Sequence, residues 1–233
     1  MSRVAIIDMG TNTFHLLIAT VEGGHFYIAH REKVPVKIGV GGINRNLITD
    51  DAIARALKTM KAFKETLVEA GVSKILAFGT SALRNATNGK DVTNLIEVET
   101  GIKTNIIRGV QEAEYICFGA RAAIAMGDKK HLIMDIGGGS VEFIIANATE
   151  IFWSYSFEIG GQRLLERFQK SDPIRPEEIK AIFSFFDEEL KLLFDQLHKH
   201  KPETLVGSSG TFDTLSDIYC FRNNIPVTEA PET

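Results

Sequence analysis

One pattern is written twice in this chain, 127 residues apart. Residues 4–19 read VAIIDMGTNTFHLLIA, and residues 131–146 read HLIMDIGGGSVEFIIA. Aligned without a gap, Asp8 falls on Asp135, Gly10 on Gly137, Thr13 on Ser140 and Ala19 on Ala146. Each copy is an apolar run, an Asp-x-Gly turn closing on a hydroxyl residue, and a second apolar run. That order predicts a buried strand, a tight turn and a returning strand. Two such hairpins facing one another would set two carboxylates and two groups of backbone N–H donors around one cleft, which suits phosphate and a metal ion. A chain of 233 residues has room for two small domains. The repeat predicts them at 1–126 and 127–233.

The bulk properties exclude several classes. With 44% hydrophobic and 24% charged residues, the chain reads as globular and able to bury a core. No apolar run approaches the roughly 18–20 residues of a membrane helix, and the N-terminus has no signal-peptide layout, so a cytoplasmic protein with no membrane partner is expected. Cys117 and Cys220 lack metal-ligand spacing and read as reduced, half-buried thiols. Charge is uneven: residues 1–110 hold 14 Lys/Arg against 10 Asp/Glu, and residues 111–233 hold 12 against 20. A polyanionic ligand would favour the first half, although single surface cations such as Arg31, Lys33, Lys37 and Arg45 are ordinary solvated charges. No nucleic-acid partner is expected.

Strands are predicted at 3–8, 14–21 and 25–38, with a Gly23-Gly24 hairpin turn, then a helix capped by Thr49 and ended by Gly71. A strand near 74–79, a polar loop from Ser81 to Gly89, a helix near 91–100 and a strand at 104–108 follow. A helix from Gln111 to Met126 leads into the second half. That half repeats the opening plan and adds helices near 161–168, 177–200 and 212–221, with a strand at 204–207. The alternation is that of an α/β protein.

The turns carry the candidate chemistry. Asp8 ends the first strand, Gly10 lets the backbone close on a ligand, and Thr11, Asn12 and Thr13 add hydroxyls, an amide and N–H donors. Gly137, Gly138 and Gly139 weaken a strand end, a defect tolerated where another group must approach the backbone; Ser140 follows them. Ser209, Gly210 and Thr211 lie between a strand and a helix, where a helix N-terminus attracts anions. By residue chemistry alone, Glu112 suits the first turn of a helix and Arg84 an exposed loop. Glu142, alternating with Val141 and Phe143, reads as a solvent-facing strand residue or an acidic contact near the cleft. His15 alternates likewise and reads as structural, hydrogen-bonded within the sheet.

Five segments in order, IDMGTNTFHLLIA, GTSALRNATN, RGVQEAEYICFGA, MDIGGGSVEFII and VGSSGT, with IGGQRLLERF as a softer sixth, resemble the exopolyphosphatase/guanosine pentaphosphate phosphohydrolase family. The strand-Asp-x-Gly loops are those of its wider group, the actin, sugar kinase and heat-shock ATPase fold. The resemblance implies two ribonuclease H-like (actin-like ATPase) domains facing a central cleft. It implies hydrolysis of a terminal phosphoanhydride, on inorganic polyphosphate first and guanosine pentaphosphate second. It makes Glu112 the catalytic group that positions and deprotonates water, and Arg84 a phosphate ligand with Gly10–Thr13, Gly137–Ser140 and Ser209–Thr211. Asp8, Asp135 and Glu142 become the Mg²⁺ contacts. Many relatives carry Glu-Glu-Ala where this chain has Gln111-Glu112-Ala113, which keeps the aligned glutamate and lowers the local charge. Members usually continue with another strand and helices, and this chain ends 22 residues after Thr211, so an incomplete second domain is expected. The resemblance admits a homodimer. Two other readings stay open: a nucleotide-dependent sugar or carboxylate kinase on the same fold, and a non-catalytic polyphosphate or alarmone-binding protein.

Overall fold

The computed structural model describes residues 2–23 and 25–226, so the expected Gly23-Gly24 turn and the irregular tail fall partly outside the described residues. Two compact units divide between Arg108 and Gly109. Unit 1 contains β1 (Ser2–Met9), β2 (Phe14–Glu22), β3 (His25–Val34), α1 (Asp50–Glu69), β4 (Lys74–Gly79), α2 (Ser81–Asn85), α3 (Gly89–Thr100) and β5 (Thr104–Ile106). Unit 2 contains α4 (Gly109–Ala123), β6 (His131–Ile136), β7 (Val141–Ala146), β8 (Ile151–Phe157), α5 (Gly161–Phe168), α6 (Pro176–Glu189), α7 (Lys191–His200), β9 (Thr204–Ser208) and α8 (Gly210–Asn223).

The sheet of unit 1 runs β3-β2-β1-β4-β5, with the first three strands antiparallel and β4 and β5 parallel to β1. Alternation along β1 and β2 sends Ala5, Ile7, Met9, Phe14, Leu16 and Ile18 to one face. There they meet Ala52, Ala56, Met60, Phe63 and Leu67 of α1 in one core. Thr49 caps α1, its side chain accepting from the Ala52 N–H. Gly71, at φ +60°, closes the helix as its N–H donates to Val68 O (3.0 Å) while the Val72 N–H donates to Leu67 O (3.1 Å).

Unit 2 repeats the plan as β8-β7-β6-β9, four strands among the described residues where unit 1 has five. The duplication holds to the residue. Val4 pairs with Ala19 and Asp8 with His15; 127 positions on, His131 pairs with Ala146 and Asp135 with Glu142. Since a one-residue slip would turn every side chain to the opposite face, the shared register carries both aspartates to equivalent places at their strand ends. The α/β fold of two actin-like halves is therefore observed.

Several boundaries differ from expectation. The predicted domain limit after residue 126 leaves α4 in the first domain. Instead Ala113 and Cys117 of α4 pack with Ile133, Ile144 and Ala146 of β6 and β7, so the helix belongs to unit 2. β3 ends at Val34, and the chain beyond it crosses as an irregular strap that buries Val36 and Ile38. The segment read as polar loop contains α2, and the helix expected over 177–200 is two helices meeting at Leu190. Both cysteines are free, as expected, and fully buried rather than half-buried.

Candidate functional site

In unit 1 the candidate residues gather at the C-terminal end of the parallel strands, where open α/β sheets bind ligands. Asp8 lies one residue from the end of β1. The Gly10 N–H donates to Thr13 O (3.1 Å), and a Cβ on Gly10 would lie 2.9 Å from that oxygen, so only glycine fits this turn. Behind the turn, the Gly39 N–H donates to Thr11 O (3.2 Å) and the Lys37 N–H to Asn12 O (2.8 Å). The strap that supplies these donors is braced by Arg55, which donates to Val36 O (2.8 Å) and Lys37 O (2.9 Å). Arg84 lies in the last turn of α2, which follows β4, the neighbour of β1; it is half-buried and donates to Ile107 O (3.3 Å). His15, opposite Asp8, is lowered in pKa by burial and by Lys33, which is opposite it on β3. The hydrogen bond expected for its ring within the sheet is absent among the described residues.

Unit 2 holds the same turn: the Gly137 N–H donates to Ser140 O (3.0 Å), and a Cβ on Gly137 would sit 3.0 Å from that oxygen. Its surroundings are acidic instead. Glu142 is 2% exposed, which corrects the solvent-facing alternative: every residue of β7 is buried, so alternation along that strand does not separate core from solvent. Oε1 of Glu142 accepts from Ser140 Oγ and from Ser156 Oγ, both at 2.7 Å. Burial first, and then the negative charge of Glu112, push its pKa up to about 8, against the pull of the two serines. Asp135 is also raised, by burial opposed by hydrogen bonds from Ser208 and Ser209. Glu112, in the first turn of α4, is half-buried and close enough to act on Glu142. Ser209 and Thr211 each donate a hydroxyl hydrogen bond to Ile136 O (3.2 and 3.1 Å), tying the third loop to the end of β6.

The expected site residues thus fall into two sets. Asp8, Gly10–Thr13 and Arg84 share one sheet end in unit 1. Glu112, Asp135, Gly137–Ser140, Glu142 and Ser209–Thr211 share one in unit 2. Glu112 therefore stands with the second loop rather than with the first half. Sequence reading missed Ser156 and Ser208, which flank the acidic pair on β8 and β9; only the strand pairing Asp135–Glu142–Ser156 and Asp135–Ser208 exposes them.

As a cation site the unit 2 set fits Mg²⁺ in kind: its donors are hard oxygens, and its carboxyls are raised by burial, that of Glu142 also by the charge of Glu112. No group of three metal-ligating side chains forms a complete cage among the described residues.

Two actin-like halves, each with an Asp-x-Gly hairpin and one with a buried glutamate opposite its aspartate, define the fold class. Residues 17–227 match the Ppx/GppA phosphatase family, and the chain belongs to it. It is similar to an exopolyphosphatase from Cytophaga hutchinsonii, with 43% identity, a TM-score of 0.93, and coverage of 98% of this chain and 74% of that one. The Aquifex aeolicus family member is 28% identical with a TM-score of 0.73, covering 94% and 69%. Exopolyphosphatase 1 of Mycobacterium leprae is 29% identical over 93% of this chain and 64% of its own length. The guanosine-5'-triphosphate,3'-diphosphate pyrophosphatase of Photobacterium profundum is 30% identical over 92% and 43%. The chain thus spans less than two thirds of the length of these last two relatives. A type IV pilus PilM–PilN complex shares the fold alone, at 11% identity and a TM-score of 0.59. Among the described residues no helix is long and apolar enough to cross a membrane.

Proposed function

We propose that this chain carries the hydrolytic machinery of a phosphoanhydride hydrolase that removes the terminal phosphate of inorganic polyphosphate. The observation that carries the reading is the grouping in unit 2 of Glu112, the Glu142–Asp135 pair and the glycine loop 137–140. Glu112, half-buried in the first turn of α4, accepts a proton from water and aims it at phosphorus. The amides of the loop stabilise the charge on the departing phosphoryl oxygens. Within unit 1, Arg84 and the amides of Thr11–Thr13 offer anion donors of their own, a guanidinium fork matching phosphate oxygens. In unit 2, Asp135 and Glu142 would hold Mg²⁺, which supplies charge neutralisation to the phosphate oxygens, and Asp8 is the corresponding carboxylate of unit 1. The names of the relatives support both substrates, and the 5'-phosphate of guanosine pentaphosphate is the second choice.

Phosphate release from polyphosphate, guanosine pentaphosphate and ATP, with and without Mg²⁺, tests the reading. Glu112→Gln should bind substrate and lose about 10²–10⁴ in turnover if it is the general base. Near-normal turnover in that variant sinks the assignment, and ATP consumption only with a sugar acceptor would turn it toward a kinase.

A further inference from the structure

The segment Gly160–Arg163, at the start of α5, lies outside every role described above, yet it is hydrogen-bonded to each carbonyl of the loop 137–139. The Gly161 N–H donates to Gly137 O (3.0 Å), the Gln162 N–H to Gly138 O (2.8 Å) and the Gly160 N–H to Gly139 O (3.3 Å). Gly139 O also accepts from Nε of Arg163 at 2.8 Å, while Nη2 of the same guanidinium donates to Glu158 at 2.9 Å. Arg163 is 9% exposed. All three loop carbonyls are therefore tied back on one side.

A trans peptide points its C=O and N–H in opposite directions. Carbonyls fixed toward α5 force the N–H groups of the same three peptides, those of Gly138, Gly139 and Ser140, to the other side. None of those amides donates to a described residue. The first loop is built alike, with Thr11 O and Asn12 O tied by backbone amides. There the bracing guanidinium, Arg55, holds the strap and does not touch the loop. Among the described residues, only in unit 2 does a cation bond a loop carbonyl directly. A charged donor on Gly139 O withdraws electron density from the Gly139–Ser140 peptide and so makes the Ser140 N–H a stronger donor.

We propose that Arg163 is a positioning residue of the phosphate loop, fixing and polarising the Gly139–Ser140 peptide so that the Ser140 amide is presented to a phosphoryl oxygen. This rests on the reading of residues 137–140 as a phosphate loop. The planar fork is essential, because Nε serves Gly139 while Nη2 serves Glu158; an ammonium keeps the charge and loses one of the two.

The test uses the full chain in the Glu112→Gln background, with tripolyphosphate as probe and calorimetry as readout. Arg163→Met should weaken binding about tenfold, a change of ~1.4 kcal/mol, and Arg163→Lys should recover part of it. In the chain with Arg163 intact, the Ser140 amide proton should move downfield on adding tripolyphosphate. A folded Arg163→Met variant with unchanged affinity overturns the proposal. So does a Ser140 amide that does not respond, and that measurement stands even if the Met variant does not fold. Should the parent chain fail to bind tripolyphosphate at all, the functional reading falls and takes this proposal with it. Binding by the parent with no dependence on Arg163 removes the proposal alone.

Discussion

Glu142→Gln isolates the linkage between a buried carboxyl and folding. Glu142 titrates near 8 in the folded chain against 4.5 for the ordinary group. Between those values the folded state holds a proton that the unfolded state has lost, so stability falls as pH rises, by up to about 1.4 kcal/mol per pH step. Below about 4.5 the group is neutral in both states and costs nothing; above about 8 the cost is complete. A carboxyl moved that far carries on the order of 5 kcal/mol between its protonation states, and an expected loss of about 2–5 kcal/mol allows for relief from Glu112 and nearby water. Glutamine copies the neutral acid and can accept from Ser140 and Ser156 as Glu142 does. The assay is urea unfolding from pH 5 to 9 in a chelating buffer, followed by Trp153, the single tryptophan, which lies on β8 in unit 2. The variant should match the unsubstituted chain near pH 5 and exceed it by about 2–5 kcal/mol at pH 9. Titrating groups other than Glu112 and Asp135, whose charges act on Glu142, are common to both proteins and cancel. Parallel profiles across that range would refute a folded-state carboxyl raised by burial.

Further outcomes can be set beside this one. Gly160→Ala would bring a Cβ to 2.5 Å from the backbone of Gly138 and Gly139. It should lower stability by about 1–3 kcal/mol and abolish tripolyphosphate binding, read by thermal melting and calorimetry. Asn88→Ala removes a paired side-chain bridge in which Nδ2 donates to Ile48 O (2.8 Å) and Oδ1 accepts from the Ile48 N–H (2.9 Å). A loss of about 1–3 kcal/mol is expected, with phosphate-chain affinity unchanged by calorimetry.

The hairpins were legible because their information is local. Apolar alternation sets the strands, Gly10 and Gly137 set the turns, and an ungapped repeat fixes the register. What escaped depends on partners distant in sequence. Periodicity marks α4 as a helix and is silent about which sheet its Ala113 and Cys117 will meet. Alternation left Glu142 two faces to choose from, because covering both sides of β7 is a property of the assembled layers. The five residues of α2 are too few to display a helical period, and the break at Leu190 has neither proline nor glycine to announce it. The carbonyl ties from Gly160–Arg163 are backbone geometry that no residue-type pattern encodes.

The matched register has an evolutionary consequence. In cross-strand order, unit 1 reads Lys33, His15, Asp8, Phe78 and unit 2 reads Ser156, Glu142, Asp135, Ser208. One hairpin register is used twice, with different side chains beside a shared aspartate. A duplicated fold of this kind can try a new chemistry in one copy while the other keeps the ancestral grip on its ligand.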